Sequence, residues 1–219
     1  MASTPLERRK SLTARMALHV LTDRAWSRGR DMVSVAAAAI EGGATVIQLR
    51  DKTASTRELV AEGLALRVLT RERGVLLIVN DRIDVALAID ADGVHVGQDD
   101  MPVALARQML GPERILGASA GNLEEAIPVI EGGADYLGVG PIYATSTKSD
   151  AGQPIGLHFL SELAVRYAIP LVAIGGITAS NAGPIIQAGA SGVAVISAVV
   201  GAEDIAAATR ELAMVVGVK

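Results

Sequence analysis

EGGATVIQLRDK, residues 41–52, sets a helix end, a short apolar strand and a charged strand end in immediate succession. Glycine just past a helix supplies the left-handed residue that terminates it. VIQL is a near-continuous apolar run, the signature of a strand buried on both faces in a parallel sheet. The unit recurs: Glu131-Gly-Gly-Ala134 and Gln187-Ala-Gly-Ala190 repeat Glu41-Gly-Gly-Ala44, and Ala88-Ile-Asp-Ala91 is a looser copy. Each copy predicts a helix that stops and a strand that starts.

Outward from this stretch, eight runs read as strands: Met16–Thr22, Thr45–Arg50, Val75–Asn80, Gly93–Gly97, Ile115–Ala118, Asp135–Val139, Pro170–Ile174 and Gly192–Ile196. Helices between them include Asp31–Glu41, Ser55–Arg73, Asn122–Glu131, Ser180–Ala188 and Ala202–Met214, with Asp31, Asn122 and Ser180 as N-caps. Eight strands alternating with helices over about 200 residues is the count and size of an α/β single domain, the (β/α)8 TIM barrel. The competing doubly wound open sheet wants a glycine-rich turn after the first strand, and His19-Val-Leu-Thr-Asp23 offers none. Residues 1–14 read as a mobile N-terminal tail and 15–219 as the barrel.

Composition removes whole classes of function. The chain has 219 residues, half of them hydrophobic and 20% charged, enough for one large core. Aromatics are 2% and the net charge is −4, which disfavours base-stacking surfaces and the basic footprint of nucleic-acid binding. No cysteine is present, excluding disulfides, thiol nucleophiles and thiolate metal sites. No apolar stretch has the roughly 18 residues of a membrane span, and the N-terminus lacks the apolar run of a signal peptide. A cytoplasmic location is the expectation.

In a barrel of this kind the chemistry sits at the C-terminal ends of the strands. Gln48, Arg50 and Lys52 alternate after strand two, so with period two they share one side and suit a polyanion such as diphosphate. Asp81 and Asp100 follow neighbouring strands. Their carboxylates suit Mg²⁺, which takes oxygen ligands together with water and substrate phosphate; capping of the following helices is an equal alternative. Gly175-Gly176 and Ser197 follow strands seven and eight, where barrels often bind phosphate through backbone N–H groups. After strand six, GPIYATSTKSDAG (140–152) offers Thr145, Ser146, Thr147 and Lys148 on a loop able to close over a second phosphate. His19 and His95 fall within apolar strands and His158 on an exposed helix; none is assigned a catalytic role.

VIQLRDK, IVNDRIDVALAIDADGVHVGQDDMP, LGASAG, YLGVGPIYATSTKSD, VAIGGI and GVAVISAV occur in order over essentially the whole chain from Met16. Together they resemble the thiamine-phosphate synthases. The resemblance implies a TIM-barrel transferase of thiamine biosynthesis. Such an enzyme joins 4-amino-2-methyl-5-hydroxymethylpyrimidine diphosphate to a thiazole phosphate, or its carboxylated form, releasing pyrophosphate by a dissociative, Mg²⁺-assisted route. It further implies that Gln48, Arg50, Lys52, Asn80 and Lys148 hold the pyrimidine diphosphate and that Ser119 touches the pyrimidine. Asp81 and Asp100 would ligate Mg²⁺. Thr145 to Thr147, Gly175 or Gly176, and Ile196-Ser197 would receive the thiazole phosphate. Arg50, Lys52 and Lys148 are the residues expected to act on the leaving group. Partners are small-molecule substrates, with no nucleic acid and no membrane, and a homo-oligomer is compatible with the sequence.

One departure bears on function. Members often carry Ser-Ala-His or Ser-Thr-His after strand five, where this chain has Ser119-Ala120-Gly121. The sister thiazole tautomerases use that histidine as acid–base, so Gly121 weakens a tautomerase reading. A phosphate-ligand sensor of the same fold would show gaps in the diphosphate set, and the set is full.

Overall fold

The computed structural model describes residues 12–147 and 152–218. In chain order its elements are β1 (Leu18–Leu21), α1 (Met32–Glu41), β2 (Val46–Leu49), α2 (Thr56–Arg73), β3 (Leu76–Asn80), α3 (Ile83–Ala88), β4 (Gly93–Val96), α4 (Val103–Leu110) and β5 (Ile115–Ala120). There follow α5 (Leu123–Glu131), β6 (Tyr136–Val139), α6 (Gly156–Arg166), β7 (Leu171–Ile174), α7 (Ala182–Gln187), β8 (Gly192–Val195), α8 (Ser197–Val200) and α9 (Ile205–Val216). The strands form a closed parallel barrel in sequence order, with β1 paired to both β2 and β8. Closure establishes the TIM barrel and excludes the open sheet. Among the described residues no helix is long and apolar enough to cross a membrane.

The backbone of the repeat shows why it builds this fold. Gly43, Gly133 and Gly189 sit at φ 103°, 99° and 101°, and Asp90 of the looser copy at φ 52°. These are conformations that a residue with a Cβ adopts at a cost, which is why glycine recurs there. The residue after each copy then reaches back to the preceding strand. Thr45 Oγ1 accepts the Leu18 N–H at 3.0 Å and Asp92 Oδ2 the Leu77 N–H at 2.8 Å. Asp135 Oδ2 accepts from Leu116 at 2.9 Å and Ser191 Oγ from Leu171 at 3.3 Å. The repeat therefore ends a helix, starts an even-numbered strand and ties it to its odd-numbered neighbour.

Side chains along each strand alternate between two cores. Leu18, Val20, Ile47, Leu49, Leu77 and Val79 point outward under the helices. Val46, Leu76, Ile78, Ile115, Tyr136 and Val172 point inward, joined by Leu12 and Met16. Leu12 is only 4% exposed, so packing reaches back into the stretch expected as a tail; residues 1–11 of that tail lie outside the described residues. Two of the three expected caps hold, as Asp31 accepts the Ser34 N–H and Asn122 accepts from Glu125; Ser55 adds a capping box with Glu58. Ser180 does not cap. The helix begins at Ala182, and Ser180 Oγ instead pairs with Thr178 Oγ1 at 2.9 Å. Pro184 explains the shift, because proline lacks the N–H an earlier start would require and is tolerated in a first turn. The last long helix likewise starts at Ile205 rather than Ala202, where Asp204 accepts the Ala207 N–H.

The barrel interior is polar at mid-height. Tyr136 fits because position 117 is glycine: a Cβ there would lie 2.2 Å from its ring. Its hydroxyl is 3.0 Å from His95 Nδ1, and His19 packs on the same ring with centroids 5.6 Å apart. Burial first, and His95 second, lower the His19 pKa from 6.5 to about 3. The folded state thus binds fewer protons than the unfolded state between those values. The resulting stability is intact above about pH 6.5 and drains as pH falls, at about 1.4 kcal/mol per pH unit. Denaturant midpoints at pH 6.5 and 5 are expected to fall further in the wild type than in His19→Gln; equal falls would contradict this.

Candidate active site

A cavity of about 530 Å³ opens at the C-terminal ends of the strands. Arg50 and Lys52 from the end of β2, Asn80 and Asp81 from β3, Asp100 after β4 and Ser119 from β5 line one side. Thr145 and Thr147, Gly175-Gly176 and Ile196-Ser197 line the other. Twelve of the fifteen residues singled out from sequence therefore meet in one space. Lys148 lies outside the described residues. Ser146 is exposed and stays out of the cavity wall, and Gln48 also departs from expectation.

Gln48 is 4% exposed and faces a second, smaller cavity of about 30 Å³ inside the barrel, shared with His19, His95, Ser119 and Tyr136. Period two did put Gln48 and Arg50 on one side. Two residues along a strand also move roughly 6.6 Å down the barrel, so Gln48 forms the layer beneath Arg50.

The cationic wall is held in place from both directions. The Arg50 guanidinium pairs with Asp23, both side chains nearly buried, while Arg50 Nε is buried without a partner. Lys52 is exposed and its Nζ lies 2.5 Å from Asp81 Oδ2. Asp81 itself sits at φ 62°, where aspartate is among the few non-glycine residues tolerated. Burial, then the neighbouring Asp100 carboxyl, push its pKa above the usual carboxylate range against the pull of Lys52. Asp100 is oriented by the Gly97 N–H at 2.7 Å. Two carboxylates brought together at this cost form a locus that favours added positive charge. Among the described residues no three His, Cys, Asp or Glu side chains gather, so a cation here would complete its shell from water or ligand oxygens.

The opposite wall depends on close backbone approach. The Gly175 carbonyl accepts the Tyr143 N–H at 3.1 Å, tying the loop after β7 to that after β6. Gly176 adopts φ 66°, and a Cβ there would stand 2.5 Å from the Ala144 carbonyl oxygen. Thr147 Oγ1 lies 3.1 Å from Ser197 Oγ, bringing two hydroxyls to one point beside these glycines. On the floor, His95 Nε2 is 3.0 Å from Ser119 Oγ. At Gly121 the N–H is held by Glu125 Oε2 at 2.7 Å.

A profile described as thiamine monophosphate synthase matches residues 18–199 of this chain, nearly the whole barrel. The chain belongs to the thiamine monophosphate synthase family. Thiamine-phosphate synthase of Chloroflexus aurantiacus is 60% identical over 92% of this chain and 93% of its own length. The Moorella thermoacetica protein of the same name is 53% identical over 91% and 95%. Among solved structures, thiamine phosphate pyrophosphorylase from Pyrococcus furiosus superposes with a TM-score of 0.87 at 47% identity, covering 94% of this chain and 98% of that one. As a member of this family the chain is an enzyme, a transferase. Three site-building residues escaped the reading of this family member's sequence. Asp23 was visible at a strand end without a target, Glu125 read only as part of a helix, and His95 was seen as packing, although its inward register in GVHVG places it under Ser119.

Proposed function

We propose that the enzyme condenses 4-amino-2-methyl-5-hydroxymethylpyrimidine diphosphate with 4-methyl-5-(2-phosphoethyl)thiazole or its carboxylated form, giving thiamine phosphate and pyrophosphate. The observation that carries this reading is the convergence of Arg50 and Lys52 with the Asp81–Asp100 pair in one cavity, facing a hydroxyl and glycine wall. Arg50, Lys52 and Asn80 bind the diphosphate. Asp81 and Asp100 would hold Mg²⁺, which would supply charge neutralisation to the leaving pyrophosphate. The carbon–oxygen bond breaks with its electron pair leaving on pyrophosphate, and the aminopyrimidine ring carries the positive charge. The thiazole nitrogen lone pair then forms the new carbon–nitrogen bond. Thr145, Thr147, Ser197 and the N–H groups of Gly175-Gly176 seat the thiazole phosphate, and Lys148 on the same loop serves the diphosphate. Nothing in this sequence demands a strong base; it demands placed charge and exclusion of water.

The decisive assay combines purified protein, both substrates and Mg²⁺, and measures thiamine phosphate and pyrophosphate. No product above the enzyme-free control would overturn the proposal. One observation favours a second reading: His95 on β4, 3.0 Å from Ser119 Oγ, puts an imidazole near the strand-five end, although not at position 121 where a thiazole tautomerase carries its histidine. Interconversion of thiazole tautomers without condensation would establish it instead. Gly176→Ala, which forces the loop that carries Thr145 and Thr147 away from the loop after β7, is expected to raise the KM for thiazole phosphate about tenfold or more. Initial rates at varied thiazole phosphate measure this.

A further inference from the structure

Three consecutive residues after β1 grip the β2 end at two successive residues, Arg50 and Asp51. Thr22 Oγ1 accepts the Arg50 N–H at 2.9 Å, and its hydroxyl donates to the Arg50 carbonyl at 3.2 Å. Asp23 pairs with the Arg50 guanidinium, its second oxygen accepting the Ala25 N–H at 3.0 Å. Arg24 donates from Nε to Asp51 Oδ2 at 2.8 Å and from its terminal nitrogen to Glu62 Oε2 at 2.9 Å. Asp51 then shapes the turn through Lys52, its Oδ1 accepting the Thr53 N–H, the Thr53 hydroxyl and the Ala54 N–H between 2.8 and 3.0 Å.

We propose that Thr22-Asp23-Arg24 is a positioning clasp that sets Arg50 and Lys52 at the spacing a diphosphate requires. The inference rests on the synthase reading of the cavity, within which it assigns residues that touch no substrate. A mere staple between strands would need none of this chemistry, since β1 and β2 are already hydrogen-bonded along their length. The clasp continues past the last strand residue and ends on the segment that carries both Arg50 and Lys52 into the cavity. Its parts are also poor stabilisers taken singly. A nearly buried ion pair such as Asp23–Arg50 roughly cancels its own desolvation. The half-exposed Arg24 fork contributes little as a surface pair. Both are better explained by geometry than by stability. Glu62 shows the same expense: burial raises its pKa, and its Oε1 has no partner.

Arg24→Ala is the informative variant, because the side chain is 54% exposed and its loss leaves the core intact. The expected result is a kcat/KM for the pyrimidine diphosphate about tenfold lower, with the KM for thiazole phosphate within about twofold of wild type. Asp51→Asn should behave alike, and the double variant should be no worse than the weaker single, since both break one link. Wild-type kinetics in Arg24→Ala, equal changes for both substrates, or additive losses in the double variant would overturn the clasp. Calorimetric binding of inorganic pyrophosphate with Mg²⁺ separates this from the synthase reading, as it needs no turnover. A Kd weakened about tenfold in Arg24→Ala supports the clasp even if no thiamine phosphate forms. An unchanged Kd, or no binding to the wild type, rejects it.

Discussion

Arg50→Gln is expected to lower kcat by at least about a hundredfold, the usual scale for removing a group that stabilises charge developing on a leaving group. Arg50 is the most deeply seated cation of the cavity wall, 8% exposed, and its guanidinium is oriented by Asp23. Glutamine keeps most of the length and one donor but loses the charge and the fork. The Asp23 carboxylate, until then paired, would be left nearly buried beside the diphosphate site, adding repulsion to the loss. The substitution should therefore harm the diphosphate half of the reaction selectively. Steady-state kinetics with each substrate varied in turn would check this, and a rate within about threefold of wild type would place the diphosphate elsewhere.

Asp81→Asn carries a comparable expectation, a loss of at least about a hundredfold in kcat. The choice of asparagine matters. At φ 62° most residues would strain the backbone, whereas asparagine tolerates this region at least as well as aspartate. The variant thus removes charge while leaving the turn intact. In the protein as it stands, Lys52 Nζ is 2.5 Å from the Asp81 carboxylate. Its release should not compensate if Asp81 works as a cation ligand. Activity titrated against Mg²⁺ should need a higher concentration for half-maximal rate in Asp81→Asn. An unshifted titration with wild-type turnover would overturn the assignment of Asp81 as a cation ligand; helix capping is no alternative, because the next helix begins after Arg82 with no side-chain cap.

The fold was legible because it is written locally and repeatedly. Residues 41–52 contain the helix stop, the left-handed glycine and the buried strand, and three further copies place β4, β6 and β8. What local reading misjudged were the places where a neighbour overrules. Pro184 moved a helix start past Ser180, and the interior plug reached back to Leu12. The candidate site was legible to a similar depth. Barrel topology assigns chemistry to one end, so the residues that follow each strand mark the site in the sequence itself. Gln48 exposed the limit, because period two gives the side on which a residue points and not the layer at which it sits.

The sequence alone determined the strand count, the parallel order, the cavity end and most of the residues that face it. Those features follow from alternation, from glycine conformation and from the right-handed connection of parallel strands, all properties of short stretches. Only the tertiary structure decided which groups touch. That Asp23 meets Arg50, that Arg24 reaches Asp51, that His95 stands under Ser119 and that Thr147 finds Ser197 are contacts across 24 to 50 residues of chain. Such contacts depend on barrel closure and on the stagger between strands, which no segment of a single strand encodes.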